Sequence, residues 1–308
     1  MKNITTYIQE TLKTLYPTEE IRYIVRLILS HVCGLSYNQQ ILCKDKQISE
    51  KEKVEIIAIV NRLKNMEPLQ YILGETEFYS LPIKVNPSVL IPRPETEELV
   101  DIIIKSTNPV IGVSEATNQT HSNKTLFSSY CKPLKILDIG TGSGCIPIAL
   151  AKHLHNATVD AIDISDATLQ TAKENATLNN VDIHFIQADI LNTSKTFEIF
   201  SDDFDIIVSN PPYVTEKEKG AMCKNVIAYE PHCALFVSDD DPILFYKAIA
   251  DFALLKLSPG GTIYFEINAN YNIAISEMLH EKGFANIRII SDLSGKNRFV
   301  SAMSNILL

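Results

Sequence analysis

The chain has 308 residues, 45% of them apolar, and a formal net charge of −9. That length and apolar content allow two domains with their own cores and exclude global disorder. The acidic balance argues against tight, sequence-independent binding of nucleic acid, which needs clustered Lys and Arg.

Six cysteines, Cys33, Cys43, Cys131, Cys145, Cys223 and Cys233, form no C-x-x-C pair, and no histidine stands at metal-ligand spacing from them. They read as reduced thiols, with no metal site expected. The N-terminus is amphipathic rather than a signal peptide, and no run approaches the roughly 20 apolar residues of a membrane helix. The expectation is a soluble, cytoplasmic monomer with no membrane partner.

Residues 1–73 carry helical periodicity. Apolar residues recur at Ile4, Ile8, Leu12 and Leu15, at Ile21, Ile24, Val25, Ile28 and Leu29, and at Val54, Ile57, Ala58, Val60 and Leu63. Ser49 with Glu52 three residues on spells a capping box for the last of these helices. Lacking a glycine-rich loop or a charged catalytic cluster, this part reads as a small helical bundle for substrate docking. Residues 74–94, apolar and aromatic with Pro and Gly punctuation, predict a β-hairpin linker, with strand pieces at Phe78-Tyr79 and Ile83–Val85 and the turn around Ser80–Pro82.

Residues 95–308 form the last domain. A helix is expected over Glu95–Ile104. Twelve of the 27 residues from Ser106 to Lys132 are Ser, Thr or Asn, which marks a polar insertion within the domain. Strands then alternate with helices. The strands are expected at Leu134–Ile139, Thr158–Ile162, Ile183–Gln187, Phe204–Ser209, Gly261–Ile267, Ala285–Ile290 and Arg298–Met303. The helices are expected at Ser143–Leu154, Asp166–Asn179, Pro242–Leu257 and Tyr271–Lys282. This pattern predicts the α/β class, with a seven-stranded, mostly parallel, Rossmann-like sheet covered on both faces. Ligands of such sheets sit at the carboxyl ends of the strands.

Three motifs fall there. Asp138-Ile139-Gly140-Thr141-Gly142-Ser143-Gly144 follows the first strand. Its alternate glycines permit a tight turn and a close backbone approach, and the helix behind it offers free N–H groups and a positive dipole end. Pro147 lies in that helix's first turn, where a missing N–H costs little. A dinucleotide fingerprint would need glycine at position 145, which is Cys. Asp163 ends the second strand and can accept both ribose hydroxyl hydrogens. Asp189 ends the third and can accept an adenine amino hydrogen while Ile190 packs on the ring. Taken singly, the loop reads as an ordinary turn and the acids as caps. Together, at three consecutive strand ends, they describe a nucleoside-type cofactor site.

Asn210-Pro211-Pro212-Tyr213 follows the fourth strand. Two prolines fix the backbone and remove donors, which leaves carbonyl acceptors, the Asn210 side chain and an aromatic ring. The Asn210 side-chain oxygen and the Pro211 carbonyl can each accept one hydrogen of a planar NH₂ group, and Tyr213 can stack on its plane. The lone pair of such a nitrogen is delocalised. Holding both hydrogens favours the pyramidal geometry that aims it at the sulfonium methyl of S-adenosylmethionine, so catalysis is positioning and electrostatics with no general base. On its own, Asn-Pro-Pro is a rigid turn. Glutamine, adenine and guanine all satisfy this acceptor chemistry. A nicotinamide-dependent reductase leaves the motif unexplained, and a binding module leaves both halves of a transfer site without purpose.

Further stretches carry a family resemblance: Glu67-Pro68-Leu69-Gln70-Tyr71-Ile72-Leu73-Gly74, Phe78-Tyr79, Val89-Leu90-Ile91-Pro92-Arg93-Pro94-Glu95-Thr96-Glu97, Tyr229-Glu230-Pro231 and Asp292-Leu293-Ser294-Gly295-Lys296-Asn297-Arg298. With these, nearly the whole chain resembles the protein-(glutamine-N5) methyltransferases that modify the Gly-Gly-Gln loop of peptide chain release factors. The resemblance implies a helical N-terminal domain that helps hold the release factor, and a class I methyltransferase domain with no stable nucleic-acid partner. It implies cofactor contacts at Gly140 to Gly144, Asp163, Ile190 and Asn210, and a substrate glutamine held by Asn210-Pro211-Pro212-Tyr213. The chain departs from the family pattern at Ile190, often aromatic there, at Val237-Ser238, at Asn268 and in the 106–132 insertion. The alternative that shares the acceptor motif is a nucleic-acid amino methyltransferase acting on adenine N6 or guanine N2.

Overall fold

Helical periodicity at the start of the chain and strand–helix alternation after it produce two separately packed units. The computed structural model describes residues 1–42, 46–107 and 132–305. The first unit is Met1–Glu75 with Met222–Glu230, and the second is Thr76–Ala221 with Pro231–Leu308. Among the described residues no helix is long and apolar enough to cross a membrane.

The first unit holds α1 (Lys2–Leu12), α2 (Thr18–Cys33), α3 (Tyr37–Leu42), α4 (Glu50–Lys64) and α5 (Leu69–Leu73). Its core contains Ile8, Leu12, Ile21, Ile24, Val25, Ile28 and Leu29, on the faces the periodicity predicts, whereas Leu15, expected with them, lies past the end of α1 and is exposed. The expected capping box forms: the Ser49 hydroxyl accepts from the Glu52 N–H, and the Ser49 N–H donates to Glu52 Oε2 at 2.7 Å. In α4, however, the buried stripe is Ile56, Ile59, Val60 and Leu63, while Val54 and Ile57 are exposed. Aliphatic residues lie on both faces of α4, and packing against α1 and α2 selects between them. Residues 222–230 also belong to this unit, and within it the Tyr229 hydroxyl donates to the Asn65 carbonyl at 2.8 Å.

The second unit opens with a hairpin of β1 (Glu75–Phe78) and β2 (Leu81–Lys84). Its turn is Tyr79-Ser80, one residue earlier than the sequence suggests, and Pro82 lies inside β2. Both turn residues have positive φ, 50° and 60°, the backbone of a type I′ turn. The strain of two non-glycine residues there is offset by α6 (Pro94–Thr107), whose Glu97 carboxylate accepts the Tyr79 N–H at 3.0 Å. Because α6 continues through Thr107, the insertion expected from Ser106 begins later. Its remainder to residue 131 lies outside the described residues, as do Cys43 and Cys131.

The sheet is built from β3 (Leu134–Ile139), β4 (Ala157–Asp163), β5 (His184–Gln187), β6 (Phe204–Ser209), β9 (Leu257–Glu266), β10 (Ala285–Ser291) and β11 (Asn297–Met303). A short pair, β7 (Val214–Thr215) and β8 (Phe236–Val237), stands apart. The intervening helices are α7 (Cys145–His153), α8 (Asp166–Asn179), α9 (Thr193–Ile199), α10 (Lys224–Tyr229, in the first unit), α11 (His232–Leu235), α12 (Leu244–Lys256) and α13 (Asn272–Glu281). Strand order is β10-β11-β9-β6-β3-β4-β5, and β11 runs against both its neighbours. Seven strands were expected and seven form. β9 begins at Leu257 rather than Gly261, because a register shift between Phe204 and Ile206 of β6 lets the strand pass through Ser258-Pro259-Gly260. From β3 the chain proceeds outward to β4 and β5, then returns to the other side of β3 as β6. The crevice for a ligand therefore opens where β3 and β6 lie side by side.

One helix face has an unusual composition. Thr168, Thr171, Asn175 and Asn179 of α8 are all buried and polar, and each satisfies the segment that follows the hairpin turn. Asn179 Nδ2 donates to the Pro82 carbonyl at 2.8 Å. Asn175 accepts from the Lys84 N–H at 2.7 Å and donates to the Lys84 carbonyl at 2.9 Å. The Thr171 hydroxyl oxygen accepts from Asn86 at 2.9 Å, and the Thr168 hydroxyl donates to the Ser88 carbonyl at 2.9 Å. A buried backbone needs partners for its N–H and C=O groups, and here helix side chains supply them.

Candidate active site

A cavity of about 260 Å³ opens at the carboxyl ends of β3, β4 and β6. Its walls include Gly140, Thr141, Gly142, Ser143, Asp163, Asp189, Ile190, Asn210, Pro211 and Pro212, so the structure gathers most of the residues singled out in the sequence. Gly144 caps α7 directly behind this wall. Segment 88–96 closes one side with Ser88, Val89, Leu90, Pro92, Arg93 and Thr96, and Phe245 and Ile249 of α12 contribute apolar surface.

Gly140, Gly142 and Gly144 all take positive φ, at 75°, 56° and 80°. Around Gly140 and Gly142 an added Cβ would meet nothing within 4 Å, so their bareness leaves a cradle. At Gly144 it would stand 3.1 Å from the Ala172 Cβ and 3.2 Å from the Ile148 Cδ1, so this third glycine serves the packing of α7 on α8. No side chain caps the N-terminus of α7, and its free N–H groups suit a carboxylate.

Asp163 is pinned, with Oδ2 accepting the Gly142 N–H and Oδ1 the Ser165 N–H, each at 3.0 Å. Each oxygen keeps a lone pair for a further donor. Burial pushes its carboxyl above the ordinary range, against the pull of these N–H donors. Asp189 lies two residues past the end of β5, not on it, and its Oδ1 accepts the Leu191 N–H at 2.9 Å. It is a turn-former as well as a wall of the cavity.

Asp138 sits beneath the glycine loop and is fully buried. Its carboxylate oxygens and the adjacent Thr141 hydroxyl make no hydrogen bond of good geometry among the described residues, so the two have at most a poorly aligned contact with each other. Burial is the main cause that raises the Asp138 pKa to about 7; the adjacent Thr141 hydroxyl pulls the other way, and the nearby Asp163 adds to the rise. An unsatisfied acidic group under a cradle of open backbone fits a cationic ligand with a carboxylate end, and S-adenosylmethionine is one.

On the acceptor side, β6 ends at Ser209, whose hydroxyl donates to the Ile139 carbonyl at 2.6 Å and ties β6 to β3. Asn210 Nδ2 donates to the Thr96 hydroxyl oxygen at 3.3 Å. Tyr213 is not among the residues lining the cavity. Its half-buried ring packs against the core cluster and its hydroxyl donates to Glu266 Oε1 at 3.1 Å, which anchors the end of the motif. Asn268, at a position where the chain departs from the resembled family, donates to the Tyr213 carbonyl at 3.2 Å and to Glu218 at 3.0 Å. It thereby steadies the end of the motif.

Sequence reasoning missed Thr96 and Glu266. Thr96 was visible only as one letter of a conspicuous stretch. Glu266 ends β9 as Asp163 ends β4, and the strand-end rule applied to all strands would have found it.

Comparison with known proteins places these features. Residues 122–233 match the model of the methyltransferase small domain, and residues 4–74 match that of the PrmC N-terminal domain. A release factor glutamine methyltransferase of Flavobacterium psychrophilum is 44% identical over 97% of this chain and 98% of its own. One of Bacteroides thetaiotaomicron is 40% identical over 98% and 99%. One of Lactococcus lactis subsp. lactis is 41% identical over 83% and 84%.

Proposed function

Since the chain belongs to the release factor glutamine methyltransferase family, we propose that this cavity joins S-adenosylmethionine to the side-chain amide of the glutamine in the Gly-Gly-Gln loop of a peptide chain release factor, and methylates its N5. The observation that carries the reading is the shared cavity: Asn210, Pro211 and Pro212 line the same space as the glycine cradle, Asp163 and Asp189.

When bound, S-adenosylmethionine supplies an electrophilic methyl on a positively charged sulfur. The backbone of Gly140 to Gly144 and the start of α7 would receive its amino-acid end. Asp163 would take the ribose hydroxyls through its remaining lone pairs, and Asp189 and Ile190 would border the adenine. The Asn210 side-chain oxygen and the Pro211 carbonyl accept the two amide hydrogens of the glutamine. Both acceptors are fixed before substrate arrives, Pro211 by its ring and Asn210 by Thr96, so little reorganisation remains for the transition state. The new N–CH₃ bond would form as the S–CH₃ bond breaks, its electron pair leaving on the neutral sulfur of S-adenosylhomocysteine, and the methylated nitrogen is then acidic enough for water to take its proton.

Residues 1–73 are assigned to release-factor docking. They form the compact helical unit that matches the PrmC N-terminal domain, and its surface exposes Tyr23, Tyr37, Leu42 and Val54. The enzyme works as a cytoplasmic monomer without a nucleic-acid partner, consistent with a net charge of −9.

The test is incubation of the purified chain with methyl-labelled S-adenosylmethionine and either release factor or DNA. Label should enter the release factor and vanish when its loop glutamine is replaced. Transfer to DNA alone overturns the reading in favour of an amino methyltransferase of nucleic acid.

A further inference from the structure

To accept an amide hydrogen, Asn210 must present its oxygen to substrate. A carboxamide is nearly symmetric, and turned by half a rotation it would offer an NH₂ group to another NH₂ group. Something must choose, and hydrogen counting shows what does.

Glu266 is buried at the end of β9. Its Oε2 lies 2.6 Å from the Thr96 hydroxyl and its Oε1 lies 3.1 Å from the Tyr213 hydroxyl. An ionised carboxylate only accepts, so the single hydrogen of Thr96 is committed to it. What Thr96 then offers Asn210 is a lone pair, and only the Nδ2 of Asn210 can answer it, at 3.3 Å. The reversed amide would set two acceptors face to face. From these contacts we infer that Glu266 and Thr96 are positioning residues forming a directional hydrogen-bond relay, which holds the Asn210 side-chain oxygen toward the acceptor amide. This rests on the functional reading above and adds to it the device that orients its central residue.

The relay has a sense that reverses with the proton. Protonated on Oε2, Glu266 would donate to Thr96, turn the Thr96 hydrogen toward Asn210 and favour the flipped amide. Burial pushes Glu266 toward protonation. The Thr96 and Tyr213 hydroxyls and the charge of Arg298 on β11 oppose it, and Glu95 on α6 works with burial. Tyr246 on α12 donates to the Glu266 backbone carbonyl at 3.0 Å, and the Cys145 thiol on α7 is held neutral by burial, its pKa pushed up to about 12.

The test compares T96V, T96S and E266Q in the wild-type background and in the Asn210→Ala background. T96V should lower kcat on the order of 10- to 100-fold, with cofactor Kd unchanged. T96S should restore most of that loss, because it returns the hydroxyl. In Asn210→Ala, neither T96V nor E266Q should cost anything further, since they act through a group no longer there. Exchange of the Asn210 carboxamide protons, followed by NMR in nitrogen-15-labelled protein, gives a readout without substrate: T96V should accelerate it and T96S should not. A T96V as active as wild type, a T96S no better than T96V, an undiminished T96V effect in Asn210→Ala, or an unaltered amide exchange would each overturn the relay. A wild-type chain that fails to methylate release factor removes the functional reading instead, while the exchange measurement still decides the relay.

Discussion

The buried acid under the glycine loop gives the sharpest thermodynamic test. Asp138 is fully buried with no well-aligned hydrogen bond among the described residues, and burial outweighs the adjacent Thr141 hydroxyl to raise its pKa from 3.8 to about 7. Three units at about 1.36 kcal/mol each make the ionised form cost the folded state on the order of 4 kcal/mol. The folded chain binds the proton more tightly than the unfolded one. This contribution is therefore fully present below pH 3.8, declines as pH rises, and is gone above pH 7. From the same two values, about 2 kcal/mol of the cost is already incurred at pH 5, and the remaining ~2–3 kcal/mol falls between pH 5 and pH 8. Asp138→Asn removes the titration. Its extra unmet N–H costs about 1–3 kcal/mol, but equally at every pH. In thermal unfolding of the cofactor-free protein, the Tm of Asp138→Asn minus that of wild type should climb by roughly 5–10 °C between pH 5 and pH 8, taking ~2–4 °C per kcal/mol. A difference that stays flat over that range, or falls, would refute the assignment of a protonated, desolvated carboxyl beneath the loop.

Three further outcomes follow from the geometry. Asn210→Ala should reduce methyl transfer on the order of 100-fold or more, while calorimetry finds cofactor Kd within about threefold of wild type, because the cofactor's other contacts survive. Gly144→Ala, with φ of 80° and an added Cβ at 3.1 Å from Ala172, should destabilise the chain by about 2–4 kcal/mol. Gly142→Ala, with nothing within 4 Å, should cost only about 1–2 kcal/mol and act mainly on cofactor affinity, as paired denaturation and binding curves would reveal.

Much of this molecule is legible in the sequence, for identifiable reasons. The periodicity of buried parallel strands is strong, so β3, β6 and α8 fall on the residues expected. Glycines at alternate positions can mean little but a turn with positive φ, and they form one. The errors lie where a second segment decides. The inward face of α4 depends on which aliphatic side its neighbours meet. The hairpin turn falls at Tyr79-Ser80, two residues with no intrinsic preference for left-handed backbone, because Glu97 is there to hold it. The partner of the Tyr213 hydroxyl, a carboxylate 53 positions away, could not be foreseen either. No local pattern encodes that pairing. The segment 222–230, which packs with the N-terminal helices, was likewise invisible to a reading made window by window.

The buried polar face of α8 has a consequence for how the active site is measured out. By fastening Pro82, Lys84, Asn86 and Ser88 in turn, it acts as a gauge block: a slip of one residue would mismatch every bond at once. From that fixed mark the chain has eight steps to Thr96, where it meets Asn210. Substitution along those steps changes texture, whereas insertion or deletion changes distance. The conspicuous run between Val89 and Glu97 is thus a length standard as much as a set of side chains.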